Sequence, residues 1–378
     1  MSGDNKVTLW NIRFTQYKLN EAVYRKMKNI FLIIPEICHS HSGLVLATVT
    51  GTKGSTPQKP GSSALFDSKG LVAGTIGGGI VEGRITEQAV EFSKTKKSDW
   101  ITFHLDNDIS NKEEAICGGD ITILIDGDPC RHLALYKEIK DSISAKVPGI
   151  LISLVRREED GNVALERQWM TSDKYPLFAS EIMDKIGPEA SDILSSFVPE
   201  FSQTEIPIQG KKPLIVLLEP VFPQKQLVIA GAGHIGKALS HLGKMLDFDV
   251  TVIDDRKEFA NKENLPDADI IIVSEIGPAM AEIRKGRDTY IVIVTRGHND
   301  DTEALKPCIG SGAAYVGMIG SKVKVARMKD EFIRNMWAGE EQWKQIYTPV
   351  GLDIKSRTVE EIALSIAAQL VLTRNSAN

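Results

Sequence analysis

The chain has 378 residues, of which 42% are apolar and 25% are charged, so it has material for two or three domains with buried cores. The formal net charge of -5 and the sequence pI near 5.9 argue against a nucleic-acid partner, because neither allows a broad basic surface. The longest apolar run near the start, residues 30–34, is too short to span a bilayer and too far from the N-terminus to be a signal peptide. We therefore expect a cytoplasmic protein that does not associate with membranes.

The first 222 residues predict an α+β domain. A helical pattern over 15–38 opens it, and another follows at 81–93. Residues 140–222 are the least informative part of the chain, and we assign them to the same domain, which Pro220-Val-Phe-Pro223 ends as a linker. Strand patterns lie at 43–50, 62–66, 71–76, 100–105, 121–125, 149–156 and 214–219, and a further helix is predicted at 177–197.

Three consecutive glycines, Gly77, Gly78 and Gly79, lie where a predicted strand meets the helix at 81–93. Their unencumbered N–H groups can form an anion nest that would hold a phosphate or a pterin. The alternative is a tight turn that needs positive φ at one or two of the glycines. Glu82, in the first helical turn, either belongs to this site or only favours the start of the helix, and the residue alone favours the second interpretation.

The four cysteines are scattered along the chain without a CxxC pair, which argues against a disulfide framework and against a structural zinc site. We therefore expect four reduced thiols. Cys117 is the one best placed for function, because the two glycines that follow it would leave its loop open and its thiol accessible to sulfur transfer or to a ligand. The commoner fate of a free cysteine is that of a small buried apolar side chain. The cysteines are Cys38, Cys117, Cys130 and Cys308.

Residues 223–378 predict a second domain, a Rossmann-like doubly wound parallel sheet. Its opening run, Gly231-Ala-Gly233-His234-Ile-Gly236, follows a strand and begins a helix, and it has the glycine spacing of a dinucleotide cradle. Asp254 follows at the distance expected of a carboxylate that contacts a ribose hydroxyl. Two alternatives remain, a turn kept for packing and a phosphate-bearing ligand other than NAD. The strands are predicted at 227–231, 249–254, 269–273, 289–295 and 314–319, and the last helix opens with the capping box Thr358-Val-Glu-Glu361.

His298 and Asp301 come just after the fourth of these strands, at the carboxyl edge where open α/β sheets bind ligands. They could coordinate a metal or bind substrate, or Asp301 could cap the next helix. The residue types alone do not decide between these roles. The turn Pro349-Val-Gly351-Leu-Asp353 is more simply explained by structure than by function.

Eight motifs, taken together and in this order, resemble the XdhC/CoxI family, the accessory proteins of xanthine dehydrogenase and carbon monoxide dehydrogenase. The resemblance extends from about residue 43 to residue 373. Residues 1–40 and 140–213 have no recognisable signature. The motifs are Gly54-Ser-Thr-Pro57, Gly74-Thr-Ile-Gly-Gly-Gly79 with Glu82, Cys117-Gly-Gly119, Gly231-Ala-Gly-His-Ile-Gly236, Asp254-Asp-Arg256, Thr295-Arg-Gly-His298 with Asp301, Gly317-Met-Ile-Gly-Ser-Lys322 and Pro349-Val-Gly-Leu-Asp353.

This resemblance implies a molybdenum-cofactor chaperone rather than an enzyme with its own turnover. Such a protein receives the molybdopterin cofactor, supports its sulfuration with a cysteine desulfurase, and delivers it to a xanthine dehydrogenase-type molybdenum hydroxylase. The glycine cluster, Glu82 and Cys117 would belong to the cofactor-handling domain, and a homodimer is a fair expectation. Some family members have cysteine at the position of Gly79, so here a thiol role falls to Cys117 or is absent.

Two other classes of function compete with the chaperone. An NAD(P)-dependent oxidoreductase would use the Rossmann-like domain for the nicotinamide, with His298 as a general acid, but no convincing proton relay accompanies it. A nucleotide-sensing regulatory protein would bind ligand in the same domain and a partner through the other.

Overall fold

The computed structural model describes residues 29–39, 43–105, 119–159, 161–210 and 212–376. The chain divides between Phe222 and Pro223 into two compact units, called here the N-terminal and C-terminal units. Most of the helix predicted at 15–38, and the loop that holds Cys117, fall outside the described residues.

The N-terminal unit is built on one antiparallel sheet of nine strands in the order β3-β2-β1-β5-β4-β7-β6-β9-β8. Neighbouring strands pair throughout in antiparallel register, although β4 and β7 share only the pair Ser98 and Val163. The strands are β1 (Val45–Gly54), β2 (Ser63–Asp67), β3 (Gly70–Gly74), β4 (Ser98–His104), β5 (Gly119–Asp126), β6 (Gly149–Arg157), β7 (Val163–Met170), β8 (Ser202–Ile206) and β9 (Leu214–Val221).

Helices cover both faces of this sheet. Because successive residues of a strand point to opposite faces, β6 offers Leu151 to one helical layer and Ile150 and Ile152 to the other. Helices α1 and α3 pack on the Leu151 face, and α2 and α4 pack on the opposite face. The helices are α1 (Ile30–Ile37), α2 (Gly79–Thr95), α3 (Leu133–Ser144) and α4 (Ser180–Ser195), with a 3-10 turn at Pro129–His132 before α3.

A disulfide joins Cys38, just after α1, to Cys130 in the 3-10 turn, with Cα atoms 5.8 Å apart. The expectation of four reduced thiols is therefore wrong for these two cysteines. The two cysteines lie 92 residues apart in the sequence, so their spacing does not predict a disulfide. Packing of α1 beside α3 brings them together. Cys308 is a buried free thiol, and burial raises its pKa to about 12.

The C-terminal unit contains a parallel sheet of five strands in the order β12-β11-β10-β13-β14. If β10 to β14 are renumbered 1 to 5 in chain order, the spatial order is 3-2-1-4-5, which is the arrangement of a Rossmann-type sheet. The strands are β10 (Gln226–Ala230), β11 (Asp249–Asp254), β12 (Ile270–Val273), β13 (Thr289–Ile293) and β14 (Tyr315–Met318).

Helices lie on both faces of the parallel sheet, which confirms the predicted doubly wound fold. Leu239 of α5 and Ile366 of α10 lie in the core of one face, whereas Met280 of α6 and Phe332 of α8 lie in the core of the other. The helices are α5 (His234–Met245), α6 (Ile276–Glu282), α7 (His298–Leu305), α8 (Lys322–Arg334), α9 (Glu340–Lys344) and α10 (Val359–Asn375). Within the described parts of both units, no helix is both long and apolar enough to cross a bilayer.

Candidate functional site

The glycine cluster forms the junction between β3 and the start of α2. Gly77, Gly78 and Gly79 all have positive φ, at 124°, 69° and 56°. Gly78 is the N-cap of α2 and provides no capping side chain. A Cβ atom built at Gly78 or Gly79 would meet nothing within 4 Å, so the backbone there is open to a close approach. This geometry suits an anion at the first turn of α2.

Glu82 folds back over the cluster from the first turn of α2. Its Oε1 accepts hydrogen bonds from the Thr75 hydroxyl at 2.7 Å, the Ile76 N–H at 3.1 Å and the Gly78 N–H at 3.0 Å. The side chain therefore does more than favour the start of the helix, because it fixes the shape of the loop. An external anion would have to use the remaining N–H groups of the first turn of α2.

Two other motifs meet this junction. A Cβ atom on Gly77 would lie 2.6 Å from Cγ of Pro57, and one on Gly119 would lie 3.0 Å from the carbonyl oxygen of Ser55. The loop after β1 is thus in contact with both the glycine cluster and the first residue of β5. Cys117 precedes Gly119 by two residues in the sequence but lies outside the described residues.

A buried ionic cluster lies deeper in the N-terminal unit, on the face of the sheet that α1 and α3 cover. Nη1 of Arg167 donates to Oδ2 of Asp126 and, at 2.8 Å, to the hydroxyl of Tyr136, while its Nε donates to Ser153 Oγ at 3.2 Å. The side chains of Arg167 and Asp126 are 2% and 0% exposed. The sequence alone does not reveal this cluster, because an arginine inside a strand ordinarily indicates a solvent-facing position.

Glu219 of β9 is buried beside this cluster, and its Oε1 has no hydrogen-bond partner within the described residues. Burial raises the pKa of Glu219 from its ordinary value to about 7, against the opposing effect of Arg167. The folded chain therefore holds this proton more tightly than the unfolded chain does. The contribution of Glu219 to the free energy of unfolding should be greatest below its unfolded pKa and should be lost as the pH rises towards 7.

We expect Glu219→Gln to remove this component of the pH dependence. Between about pH 4.5 and 7 the native chain should lose up to about 3 kcal/mol relative to the variant, with little further change above pH 7. The measurement is the free energy of unfolding in urea at each pH for both chains. Glu205→Gln, at an exposed position of β8, is the control. Parallel pH profiles of the native chain and Glu219→Gln would contradict the assignment.

The second candidate site is the glycine turn between β10 and α5. Gly231 has a φ of 114°, and a Cβ atom there would lie 2.5 Å from the carbonyl oxygen of Val294. A Cβ atom on Gly236 would overlap the carbonyl oxygen of Gly231, so this glycine allows the helix to pack against the turn. Gly233 is different, because it is the N-cap of α5 and a Cβ atom there would meet nothing within 4 Å. The helix N-terminus is therefore open to a ligand, and His234 beside it is exposed.

Asp254 was predicted to contact a ribose hydroxyl, but its carboxylate is engaged within the protein. It accepts the N–H of Ala232 at 2.7 Å and forms a two-pronged pair with the Arg256 guanidinium, with both nitrogen-oxygen distances 2.9 Å. Hydrogen bonds from Arg256 and Ala232 outweigh burial and lower the pKa of Asp254. Its observed role is to fasten the glycine turn to the end of β11.

An ion pair that the sequence did not reveal lies at the same sheet edge. Nη2 of Arg296 is 3.4 Å from Oδ1 of Asp255, and both side chains are about half exposed. Asp255 follows β11 and Arg296 follows β13, so the pair joins the ends of the two strands that flank β10. The motif Asp254-Asp-Arg256 is the sequence feature that could have indicated this ion pair, because its second carboxylate comes directly after the strand.

His298 and Asp301 have separate environments. His298 begins α7, and its Nε2 lies 2.6 Å from Oε2 of Glu331 on α8. Asp301 is fully buried, accepts the hydroxyl of Thr295 and pairs with Lys324. Within the described part of the chain, no group of three or more side chains is arranged to hold a metal ion.

The turn at Pro349-Val-Gly351 packs beside β14 and helps to shape the edge of the sheet. The N–H of Gly351 donates to Oε1 of Gln369 at 2.8 Å, and Tyr347 just before it pairs with Gly317 of β14. These contacts agree with the structural role expected for this motif.

Two family models match the chain. Residues 38–105 match the XdhC and CoxI family, and residues 227–370 match the XdhC Rossmann domain. The chain belongs to the XdhC/CoxI family. Its glycine junction lies in the segment matched by the first model, and its glycine turn and His298 lie in the segment matched by the second.

Relatives of this XdhC/CoxI chain align over most of its length. A protein of Bacillus subtilis (strain 168) named as a probable xanthine dehydrogenase subunit is 23% identical over 353 residues, covering 92% of this chain and 98% of that protein. The uncharacterized protein YqeB of Escherichia coli (strain K12) is 23% identical over 350 residues, but the match spans only 47% of its length. A crystal structure described as a xanthine dehydrogenase from Bacillus halodurans superimposes with a TM-score of 0.72 at 23% identity, over 91% of this chain and 95% of that one. This last likeness establishes the shared fold.

Proposed function

We propose that this chain is an accessory factor that binds molybdenum cofactor, supports its sulfuration and delivers it to a xanthine dehydrogenase-type molybdenum hydroxylase. Membership of the XdhC/CoxI family and the names of two relatives, which refer to xanthine dehydrogenase, support the choice of client. A cysteine desulfurase as the sulfur donor and a homodimer as the assembly are parts of the same proposal.

The observation that carries the cofactor assignment is the open glycine junction. Molybdopterin ends in a phosphate, and the first turn of α2 offers N–H groups without a capping side chain. The open space at Gly78 and Gly79 would allow phosphate oxygens to reach that backbone. Glu82 keeps the junction in this shape through its hydrogen bonds to Ile76 and Gly78. The residues present therefore fit the phosphate end of the cofactor.

The cofactor supplies its redox chemistry in the client hydroxylase, so this chain needs only to bind and protect it. Cys117, from the third motif of the N-terminal unit, is the thiol proposed to support sulfuration. The glycine turn in the C-terminal unit is suited to a second phosphate or to a dinucleotide, because Gly233 leaves the start of α5 open.

Equilibrium binding of molybdenum cofactor to the purified chain tests this proposal. We expect micromolar or tighter binding, and at least tenfold weaker binding to Gly78→Val, because a β-branched side chain opposes positive φ and blocks the approach of a phosphate. Cys117→Ala should bind the cofactor normally but should pass less sulfurated cofactor to the client. Gly187→Val, at a helical glycine with open space around it, is the control.

Nicotinamide cofactors titrated in parallel separate this proposal from an oxidoreductase. Asp254, the carboxylate on which the nicotinamide interpretation relied, is hydrogen-bonded by Arg256 and Ala232, which favours the chaperone proposal. Tight binding of NAD(H) or NADP(H) without affinity for the pterin would overturn the chaperone proposal. Equal affinity of the native chain and a folded Gly78→Val variant for the cofactor would remove the glycine junction from it.

A further inference from the structure

The disulfide between Cys38 and Cys130 joins a firmly held turn to a short helix. Cys130 lies in the 3-10 turn that follows β5, and the residue before this turn, Asp128, donates its N–H to Oδ1 of Asp126 at 3.1 Å. Asp126 is itself paired with Arg167 in the buried ionic cluster. The turn is therefore anchored inside the N-terminal unit independently of the disulfide.

Helix α1, on the other side of the disulfide, depends on tertiary contacts. It has eight residues, a length at which an isolated helix is marginal in water. Phe31 stacks on Tyr136 with ring centroids 5.9 Å apart, and other apolar side chains of α1 are buried beside it. Glu36 pairs with Lys140 at 3.1 Å, but both side chains are more than a third exposed, so this pair stabilises little. If the disulfide opens, α1 is therefore the side that moves.

The first residue of α1 contacts the strand that leads into the glycine junction. A Cβ atom built on Gly74 would lie 2.8 Å from Cδ1 of Ile30, so Ile30 packs directly against the last residue of β3. The next residue, Thr75, donates its hydroxyl to Oε1 of Glu82 at 2.7 Å. The same oxygen accepts the N–H of Gly78. The position of α1 is thus linked to the shape of the glycine junction.

We propose that the disulfide between Cys38 and Cys130 is a redox-sensitive latch that holds α1 on the sheet and keeps the glycine junction in its observed shape. Both cysteines are only partly buried, so a small dithiol can approach the bond. A thiolate of the dithiol attacks one sulfur to form a mixed disulfide, and its second thiol then displaces the sulfur of the chain. The chain gains two electrons and two protons as two thiols, while the dithiol becomes a disulfide. Reduction releases α1 and loosens the junction.

Hydrogen–deuterium exchange of the full chain, measured by mass spectrometry with and without dithiothreitol, tests the latch. We expect the backbone N–H groups of α1 and of residues 75–78 to exchange at least about tenfold faster after reduction, because both segments then open locally. Helix α4, on the opposite face of the sheet, should exchange at the same rate in both states. Unchanged exchange in α1 or in residues 75–78 would overturn the proposal. Faster exchange in α4 as well would also overturn it, because the disulfide would then stabilise the whole unit.

Cys38→Ser removes the disulfide without a reductant. We expect this variant to exchange like the reduced native chain and to show no response to dithiothreitol. Cys308→Ala, which removes the buried free thiol, is the matched control and should keep the full response. Slow exchange of α1 in Cys38→Ser would contradict the latch, because the other contacts would then be enough to hold the helix.

A loosened junction should also hold molybdenum cofactor less tightly, and this consequence rests on the proposed function. The oxidised native chain should bind the cofactor at least about fivefold more tightly than Cys38→Ser, at the lower end of typical couplings between two sites. Equal affinities would overturn control of the junction by the latch. If neither chain binds the cofactor, the proposed function fails, and the exchange experiment still decides whether the latch exists.

Discussion

Arg167→Met is expected to lower the free energy of unfolding by about 3–5 kcal/mol. The substitution leaves the carboxylate of Asp126 fully buried without its main partner and removes a hydrogen bond to the hydroxyl of Tyr136. The contacts that remain to Asp126 are the N–H of Asp128 at 3.1 Å and the more distant Arg131 guanidinium at 3.9 Å. Neither replaces a direct buried ion pair.

Urea denaturation followed by tryptophan fluorescence measures this loss, because Trp169 is buried in the same unit. Arg156→Met, at an exposed position of β6, is the matched control and should change stability by no more than about 0.5 kcal/mol. The double variant Asp126→Leu with Arg167→Met should be more stable than Arg167→Met alone, because the buried carboxylate of Asp126 is then no longer left without its partner. A double variant as unstable as the single one would show that the arginine acts through packing instead.

Gly236→Ala is expected to destabilise the C-terminal unit by at least about 3 kcal/mol, at the upper end of the cost of overpacking. The new methyl group would overlap the carbonyl oxygen of Gly231, a backbone atom that cannot rotate away. Helix α5 would have to move off the sheet, which would disrupt its packing against α10 and β10.

Gly233→Ala provides the control within the same turn. Its φ of -68° suits any residue and its Cβ atom meets nothing within 4 Å, so only the poorer N-cap preference of alanine remains and the cost should be about 1 kcal/mol or less. Thermal unfolding by calorimetry distinguishes the two variants. If a ligand approaches this turn, Gly233→Ala should weaken its binding while the fold stays intact. Equal melting temperatures for Gly236→Ala and the native chain would contradict the packing role of Gly236.

The parallel sheet of the C-terminal unit could be predicted closely from local patterns. Its strands are short apolar runs such as Leu227-Val-Ile-Ala230, which is fully buried, and its turn needs glycines wherever a Cβ atom would meet backbone. The capping box at Thr358 and Glu361 is present as predicted. Hydrophobic periodicity and steric limits act over a few residues, so the elements that depend on them can be predicted without knowledge of the tertiary structure.

In the N-terminal unit, local sequence patterns do not predict every helix and strand. Strand β7 and helix α3 were not predicted, because β7 includes Glu166, Arg167 and Gln168, and α3 mixes its apolar positions with charged ones. Edge strand β8, Ser202-Gln-Thr-Glu-Ile206, is largely polar and gives no alternating pattern. In each, tertiary packing decides the structure over a weak local preference.

Residue types at short spacings were enough to establish the glycine junctions, the class of each unit and the family. In contrast, the tertiary structure decides which charged side chains form ion pairs. Folding paired Asp301 with Lys324 and Asp126 with Arg167, and it joined Cys38 to Cys130. The physical reason is that pairing depends on distances of a few ångströms between residues far apart in the chain, and folding alone sets those distances.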